Sequence, residues 1–170
     1  MLATALPRTA GAATFKQGMR ALVGGVTVIA TQDPQGAYLG LTATSVTSLS
    51  ADPPSILVCV NRSSPMAEAL RTGVYFSANL LSENQVDVAQ AFGGQRVVRG
   101  MGRFAYGSWF RSAHDVPLLS GARVSFECIA SEAMDWATHR VVIGRVCDVH
   151  FAHPATRPLV YHDGRYTTVE

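Results

Sequence analysis

Five side-chain hydroxyls fall within seven residues in the segment 42–48, which reads TATSVTS. The other two members, Ala43 and Val46, are small or β-branched, so no bulky side chain covers the hydroxyls. Such a segment can offer hydroxyl groups and backbone N–H groups to the same ligand. We therefore expect a ligand to lie along this stretch.

A second polar group follows at Asn61-Arg62-Ser63-Ser64, directly before Pro65. Ser64 is a good N-cap and Pro65 suits the first helical position, so a helix is expected to begin here. The free N–H groups of a helix start, together with Arg62, favour an anion such as phosphate. The alternative is that Ser64 only caps the helix and Arg62 is a solvated surface charge. The spacing by itself leaves both interpretations open.

The segments that must position these groups are mostly strands. Apolar and β-branched runs bounded by Gly, Pro, Asn or Asp are typical of strands. Strands are predicted at 24–31, from residue 37 onward, and at 55–60, 74–81, 122–130, 139–151, 159–162 and 166–169, with turns at 33–36 and 163–164. The two long runs, 122–130 and 139–151, are separated by a connection at 131–138.

Short helices are predicted between the strands. The first, 12–22, has Phe15, Met19 and Leu22 on one side and is expected to cover the end of a barrel. The others are 65–71 and a helix ending at Phe92 that opens with the capping-box pair Ser82 and Gln85. The segment 95–120 is rich in Gly and Arg without a clear period, which suggests a long connection that faces a ligand or partner. Because strands and helices do not alternate regularly, we expect a mainly β fold, a barrel with added helices, rather than a Rossmann fold.

Composition limits the class of protein. The chain has 170 residues, enough for one domain, and we expect a loose leader at 1–11 followed by a single domain at 12–170. It is 48% hydrophobic with a mean hydropathy of +0.16, which favours apolar surface buried between two copies in a homodimer. The net charge of +2 comes from scattered charges without runs, so neither nucleic acid nor a membrane surface is an expected partner.

The three cysteines, Cys59, Cys128 and Cys147, each lie in an apolar run without CxxC spacing or a paired histidine. They are expected to be buried core thiols rather than disulfides or metal ligands. Their odd number points to a reducing compartment, and no signal peptide or membrane span is visible, so a cytoplasmic protein is expected.

Several segments, taken in order and spacing, resemble the flavin reductase family. These are the small NAD(P)H:flavin oxidoreductases with an FMN-binding split barrel that supply two-component monooxygenases. The segments are Gly25-Val26-Thr27-Val28, residues 42–46 with Ser48, Asp52-Pro53-Pro54, residues 61–64, Phe76-Ser77-Ala78-Asn79-Leu80-Leu81 and residues 159–166. Together they cover nearly the whole chain.

The resemblance implies a role for each matching residue. The flavin ring would lie along Thr42, Ala43, Thr44, Ser45 and Val46, with Ser48 beside them; Asn61, Arg62, Ser63 and Ser64 would hold the phosphate; and Ala78 and Asn79 would close another side. His139 would contact the nicotinamide cofactor, the alternative being a surface or strand-end histidine without a ligand, and His162 and Tyr166 would line the same cleft. The family often carries Gly-Asp-His where this chain has Ala137-Thr138-His139, with the acidic residue displaced to Asp135.

For such an enzyme no catalytic side chain is required, because hydride passes directly from the nicotinamide to the flavin and the protein orients the two rings. FMN or FAD would be the flavin, NADH or NADPH the co-substrate, and a monooxygenase the partner. Two alternatives stay open: a flavoprotein that retains FMN and reduces another acceptor, such as a corrinoid or metal centre, and a flavin- or haem-binding module without turnover.

Overall fold

The computed structural model describes residues 9–152 and 156–169, so most of the predicted leader lies outside the described residues. The fold is mainly β with a few short helices, as predicted. The elements in chain order are α1 (Ala12–Arg20), β1 (Gly24–Gly25), β2 (Thr27–Gln32), β3 (Tyr38–Ala43), β4 (Val46–Ala51), β5 (Pro54–Asn61), α2 (Pro65–Ala69), β6 (Tyr75–Leu80), α3 (Val86–Phe92), a 3-10 helix (Gly100–Ala105), β7 (Trp109–Arg111), β8 (Pro117–Leu119), β9 (Val124–Trp136), β10 (His139–Phe151), β11 (Leu159–His162) and β12 (Arg165–Thr168).

The main sheet has seven strands in the order β3-β2-β6-β9-β10-β5-β4. Its two outermost strands, β3 and β4, are consecutive in the chain and are joined only by Thr44 and Ser45. A sheet whose opposite edges are joined by two residues must curl until those edges meet, and no ladder pairs β3 with β4 among the described strands. The result is an open, split barrel whose gap lies at the hydroxyl-rich segment.

Apolar side chains fill the two sides of the sheet. Ile29, Val58 and Phe76 are buried in one core inside the curl, whereas Val28 and Phe92 belong to a second core between the sheet and α3. Alternate residues of β2 therefore serve different cores, as the two-residue period of a strand requires.

Several predicted elements match and others need correction. The strand over 139–151 and the closing hairpin around Asp163-Gly164 are confirmed. β9 continues to Trp136, so the connection before β10 is a two-residue turn and not the eight residues 131–138. The predicted capping box is only half formed, and α3 begins at Val86. Gln85 Oε1 accepts from Ser82 N at 2.9 Å, as the box requires. The Ser82 hydroxyl, however, donates to Gly121 O instead of to the helix start.

The first helix does not cover the barrel. α1 has no buried residue, and its apolar side chains Phe15 and Met19 are 61% and 48% exposed. The apolar spacing correctly predicted a helix, but nothing in the described chain packs on its apolar side.

The cysteine prediction holds for one residue. Cys128 is buried, and burial raises the pKa of its thiol to about 12. Cys59 is half-buried and Cys147 is exposed, which corrects the expectation of three core thiols. Cys147 is exposed because Val146, the residue before it, packs against the core, and successive residues of a strand point to opposite faces.

Candidate functional site

A groove of about 430 Å³ opens at the gap between β3 and β4. Thr42 and Ala43 at the end of β3, with the linking Thr44 and Ser45, form one side. The other side includes Asn61 and His139, which lie directly opposite each other where β5 ends and β10 begins. The remaining lining residues are Leu41, Cys59, Ser64, Phe92, Gly93, Gly94 and Arg103.

The hydroxyls of the first side divide into two groups. The Thr42 hydroxyl donates to Ala89 O at 2.8 Å, and the Ser45 hydroxyl donates to Cys59 O at 2.8 Å. These two bonds tie the wall to α3 and to β5. Thr44 is exposed in the groove, and none of the described residues holds its hydroxyl. Thr44 is therefore the hydroxyl in this wall that is free to meet a ligand.

The turn 61–64 is largely satisfied by its own atoms. Asn61 Oδ1 accepts from Ser63 N at 2.9 Å and from the Ser63 hydroxyl at 2.8 Å, and Ser64 Oγ accepts from Met66 N at 3.3 Å. The predicted N-cap is confirmed, but α2 has five residues, little more than one turn. The free N–H groups expected at a helix start are thus mostly occupied.

Arg62 points away from the groove. Its Nη1 donates to Ala137 O at 3.2 Å, and its Nε lies 3.4 Å from Asp135 Oδ2. Neither Arg62 nor Ser63 lines the groove, whereas Asn61 and Ser64 do. The geometry resembles the surface-charge alternative more than the phosphate site.

Arg103 is a groove cation that sequence reasoning missed. The groove leads into a second cavity of about 560 Å³, and Ser64, Gly94 and Arg103 line both. Arg103 Nη1 donates to Gly40 O at 3.1 Å, while its buried Nε has no partner among the described residues. A guanidinium has five N–H donors, so this side chain can still bind an anion at the junction.

An aromatic cluster holds the 3-10 helix that carries Arg103. The Phe104 ring lies 4.9 Å from the Phe92 ring and 5.0 Å from that of Trp109, at interplanar angles of 88° and 63°. Gly40 makes room for this packing, because a Cβ there would stand 2.6 Å from the Phe92 ring. The aromatic residues of segment 95–120 were visible in the sequence. Because they follow no regular period, the sequence did not show that they would pack together and position Arg103.

His139 has a different partner from the one the family pattern suggests. Its Nδ1 lies 2.9 Å from the Thr138 hydroxyl. Asp135 instead accepts from Arg140 Nε at 2.7 Å, and this hydrogen bond holds the pKa of the carboxyl below its usual value. Thr138 therefore orients the imidazole, and the displaced Asp135 takes no part in it.

The closing hairpin contributes one predicted residue to the groove. Tyr166 lines a cavity of about 200 Å³ that shares Thr42, Thr44 and Gly93 with the groove. Burial, and then the neighbouring Tyr161, raise the pKa of Tyr166, so its hydroxyl is protonated and can donate. His162 is half-buried on β11 and lines none of these cavities.

The remaining predicted residues lie elsewhere. Val46, Ser48 and Ala78 line a separate, mostly apolar cavity of about 350 Å³. Asn79 is fully buried, and its amide makes hydrogen bonds to Val28 O, Ser77 Oγ, Leu119 N and Ser125 Oγ at 2.8–3.1 Å. The structure thus brings eight predicted residues together in the groove system: Thr42, Ala43, Thr44, Ser45, Asn61, Ser64, His139 and Tyr166.

Comparison with known proteins identifies the class. Residues 19–170 match the family described as "Flavin reductase like domain". The chain is 33% identical over 152 residues to the FMN reductase (NADH) RutF of Pseudomonas syringae pv. syringae, covering 89% of this chain and 83% of that protein. It is 37% identical over 155 residues to the reductase component of the FADH(2)-dependent resorcinol hydroxylase of Rhizobium sp., covering 89% and 84%.

A solved structure agrees with these relatives. The styrene monooxygenase flavin reductase of Pseudomonas putida S12 superposes with a TM-score of 0.80 at 26% identity, covering 92% of this chain and 97% of that one. The chain therefore belongs to the flavin reductase family, and its enzyme class is that of the NAD(P)H:flavin oxidoreductases, as the resemblance implied. None of the helices in the described part of the chain is long and apolar enough to cross a bilayer.

Proposed function

We propose that this protein is an NAD(P)H-dependent flavin reductase that binds FMN or FAD in the groove and supplies reduced flavin to a partner monooxygenase. The main support is the arrangement of three unlike groups around one groove: the hydroxyl-bearing wall 42–45, His139 across from it, and Arg103 at one end. The flavin ring, the nicotinamide ring and the flavin phosphate would each have a chemically suitable neighbour there.

The groove suits a flavin in size and donor chemistry. Its two connected parts, of about 430 and 560 Å³, are in the range typical of small-ligand sites. Arg103 lines both parts and uses Nη1 for Gly40 O, so its remaining guanidinium donors can bind a flavin phosphate. The larger cavity beyond Arg103 leaves room for the adenylate of FAD, so both flavins are candidates.

When bound, the flavin accepts the hydride and carries the electrons. The chain itself would position the two ring systems: residues 42–45 support the flavin, Arg103 anchors its phosphate, and His139 donates a hydrogen bond that orients the nicotinamide. Its contribution to the rate is then mainly proximity and orientation. No side chain needs to take a proton from a reacting atom.

Supply of a monooxygenase is supported by the relatives. Two of them are named as components of oxygenase systems, the resorcinol hydroxylase and styrene monooxygenase reductases. A groove that is open along one side, with Thr44 exposed, suits a flavin that enters and leaves rather than one that is sealed in.

The deciding experiment measures oxidation of NADH and of NADPH with FMN, FAD or riboflavin as acceptor. We expect flavin-dependent oxidation at substoichiometric enzyme, with little flavin bound after purification. Stoichiometric FMN that survives gel filtration, with slow turnover of added flavin, would favour an enzyme that reduces another acceptor. Absence of flavin-dependent oxidation would favour a binding module.

We also propose a homodimer in which a second copy covers the face around β4. The apolar cavity there is lined by Val46, Ile56 and Phe126, and Leu49 beside it is 49% exposed. An exposed apolar surface of this kind is typical of an interface. Sedimentation velocity should give a dimer, and Leu49→Asp should shift it toward monomer. A wild-type monomer at micromolar concentration with full activity would contradict the proposal.

A further inference from the structure

A buried carboxylate lies on β9, away from the groove. The side chain of Glu127 is only 2% exposed. Its Oε1 accepts from the Ser112 hydroxyl at 2.5 Å and from His114 N at 3.2 Å, and it lies 2.7 Å from His114 Nδ1. The second oxygen of Glu127, Oε2, faces β10.

The bulge in β10 brings two more ligand atoms to the same face. Val146 pairs with Cys128, but Asp148 rather than Cys147 pairs with Glu127. The extra residue turns Asp148 and, two residues further on, His150 toward the carboxylate. His150 Nε2 lies 3.5 Å from Asp148 Oδ2 and 3.7 Å from Glu127 Oε2.

The two carboxylates have no permanently charged partner among the described residues. Two carboxylates directly opposite each other on adjacent strands repel one another. Among the described residues, no Lys or Arg forms an ion pair with Glu127 or Asp148; the ion-pair partners are histidines. His150 Nε2 is itself a buried atom with no hydrogen-bond partner in the described chain. A cation between the three groups would satisfy all of them.

The distances correspond to a first-row divalent metal. One ligand atom from each of Glu127, Asp148 and His150 lies within 4.8 Å of the others. Ligands about 2.0–2.2 Å from a tetrahedral zinc ion stand about 3.3–3.6 Å apart, close to the two separations measured from His150 Nε2. The His114 ring on Oε1 would hold the Glu127 carboxylate in orientation, as outer-shell partners do at metal sites.

We propose that Glu127, Asp148 and His150 form a binding site for Zn²⁺ or a similar divalent ion, with water completing the coordination. One imidazole and two carboxylates suit zinc, manganese or cobalt better than a copper(I) or iron–sulfur centre, which prefer thiolates. The sequence did not suggest this site, because its ligands come from two strands and only a bulge aligns them. The site is independent of the proposed flavin chemistry.

The test is equilibrium dialysis of the untagged full-length chain against Zn²⁺, with Co²⁺ as a spectroscopic probe. We expect one ion per chain and visible Co²⁺ absorption bands. Asp148→Asn and His150→Gln should each weaken binding at least tenfold. Both side chains are partly exposed, 63% and 38%, so these variants should fold, which circular dichroism and a cooperative melt would verify.

Two control variants distinguish this site from other residues that could bind zinc. Glu132→Gln, an exposed change on the same strand, and Cys147→Ser, beside the bulge, should both leave Zn²⁺ affinity unchanged. Unaltered affinity in the folded Asp148→Asn and His150→Gln variants would overturn the proposal. So would loss of binding in Cys147→Ser, or no stoichiometric ion in the wild type.

Discussion

Polar side chains in the groove and in the network around Asn79 on β6 differ in how many hydrogen bonds they make to the protein. In the groove, Arg103 Nε has no partner in the described chain and Thr44 presents a free hydroxyl. Beneath β6, the Asn79 amide uses four hydrogen bonds to the protein. Residues from both regions belong to segments that look alike in sequence: short, polar and set among apolar neighbours.

The difference separates binding groups from structural ones. A buried polar group without a partner costs about 1–3 kcal/mol, so a ligand that pairs with one gains binding energy. A fully paired amide has no capacity left for a ligand. On this criterion Arg103 belongs to the site, and Asn79 holds β6 to β2, β9 and the end of β8.

The largest expected effect is on stability. Asn79→Ala should lower the free energy of unfolding by about 3 kcal/mol, because it leaves several buried groups unpaired. Urea denaturation measures this, with Asn61→Ala in the exposed turn as a control that should change little. In the folded Asn79 variant, KM for flavin should stay within about twofold of the wild-type value, because a loss of stability alone does not change KM. A stable Asn79 variant with lost flavin affinity would break the distinction.

Arg103→Ala should come next, with a loss of about 2 kcal/mol in FMN binding, or about thirtyfold in affinity. The binding of riboflavin, which lacks the phosphate, should be weakened much less. Arg62→Ala is the matched control: the sequence pattern assigned the phosphate to Arg62, whereas its pairing with Asp135 and Ala137 predicts little change. Titration of each variant with both flavins decides which arginine meets the phosphate, and a larger FMN-specific loss at Arg62 would reverse the assignment.

His139→Ala is expected to cost about 1 kcal/mol, seen as a roughly fivefold rise in KM for NADH, because one orienting hydrogen bond is lost. Flavin affinity should be nearly unchanged. Stopped-flow reduction at rising NADH measures the effect, and Thr138→Val, which removes the hydroxyl that holds the ring, should give a smaller shift in the same direction. An unchanged saturation curve in the His139 variant would remove this residue from the site.

Ala137→Gly tests the turn that precedes His139. Ala137 has φ of +49°, a left-handed conformation that favours glycine. The change should therefore raise stability by up to about 1 kcal/mol, which a thermal melt would detect. Ala137→Val should act in the opposite direction, and equal melting temperatures for all three proteins would show that the turn relaxes without strain.

The smallest effects are expected at the cysteines. Cys128→Ala should keep turnover despite some loss of stability, because its buried thiol has a pKa of about 12 and is unreactive at neutral pH. Cys147→Ala should change neither property, since the side chain is exposed. Cys59 lines the groove, so Cys59→Ala is the more sensitive test in the NADH oxidation assay. Lost hydride transfer in a folded Cys59 variant would add a thiol to the site.

Local sequence determined much of the fold. β-branched runs and turn residues located β10 at 139–151 and the closing hairpin, because strand propensity and turn chemistry act over a few residues. The cap at Ser64 was equally local. The hydroxyl-rich segment 42–48 was recognisable from its residue types alone.

Other features depended on contacts between distant residues. Arg103 reaches the groove because Phe104 packs on Phe92 and Trp109, a cluster drawn from three elements. The burial of Asn79 depends on Leu119 and Ser125, and the placement of Asp148 opposite Glu127 depends on a bulge of β10 against β9. The residue pattern of a single strand does not show which neighbouring element will cover each of its faces. Local patterns therefore determined where the chain forms strands. Only the tertiary packing decided which polar groups are left unpaired for a ligand.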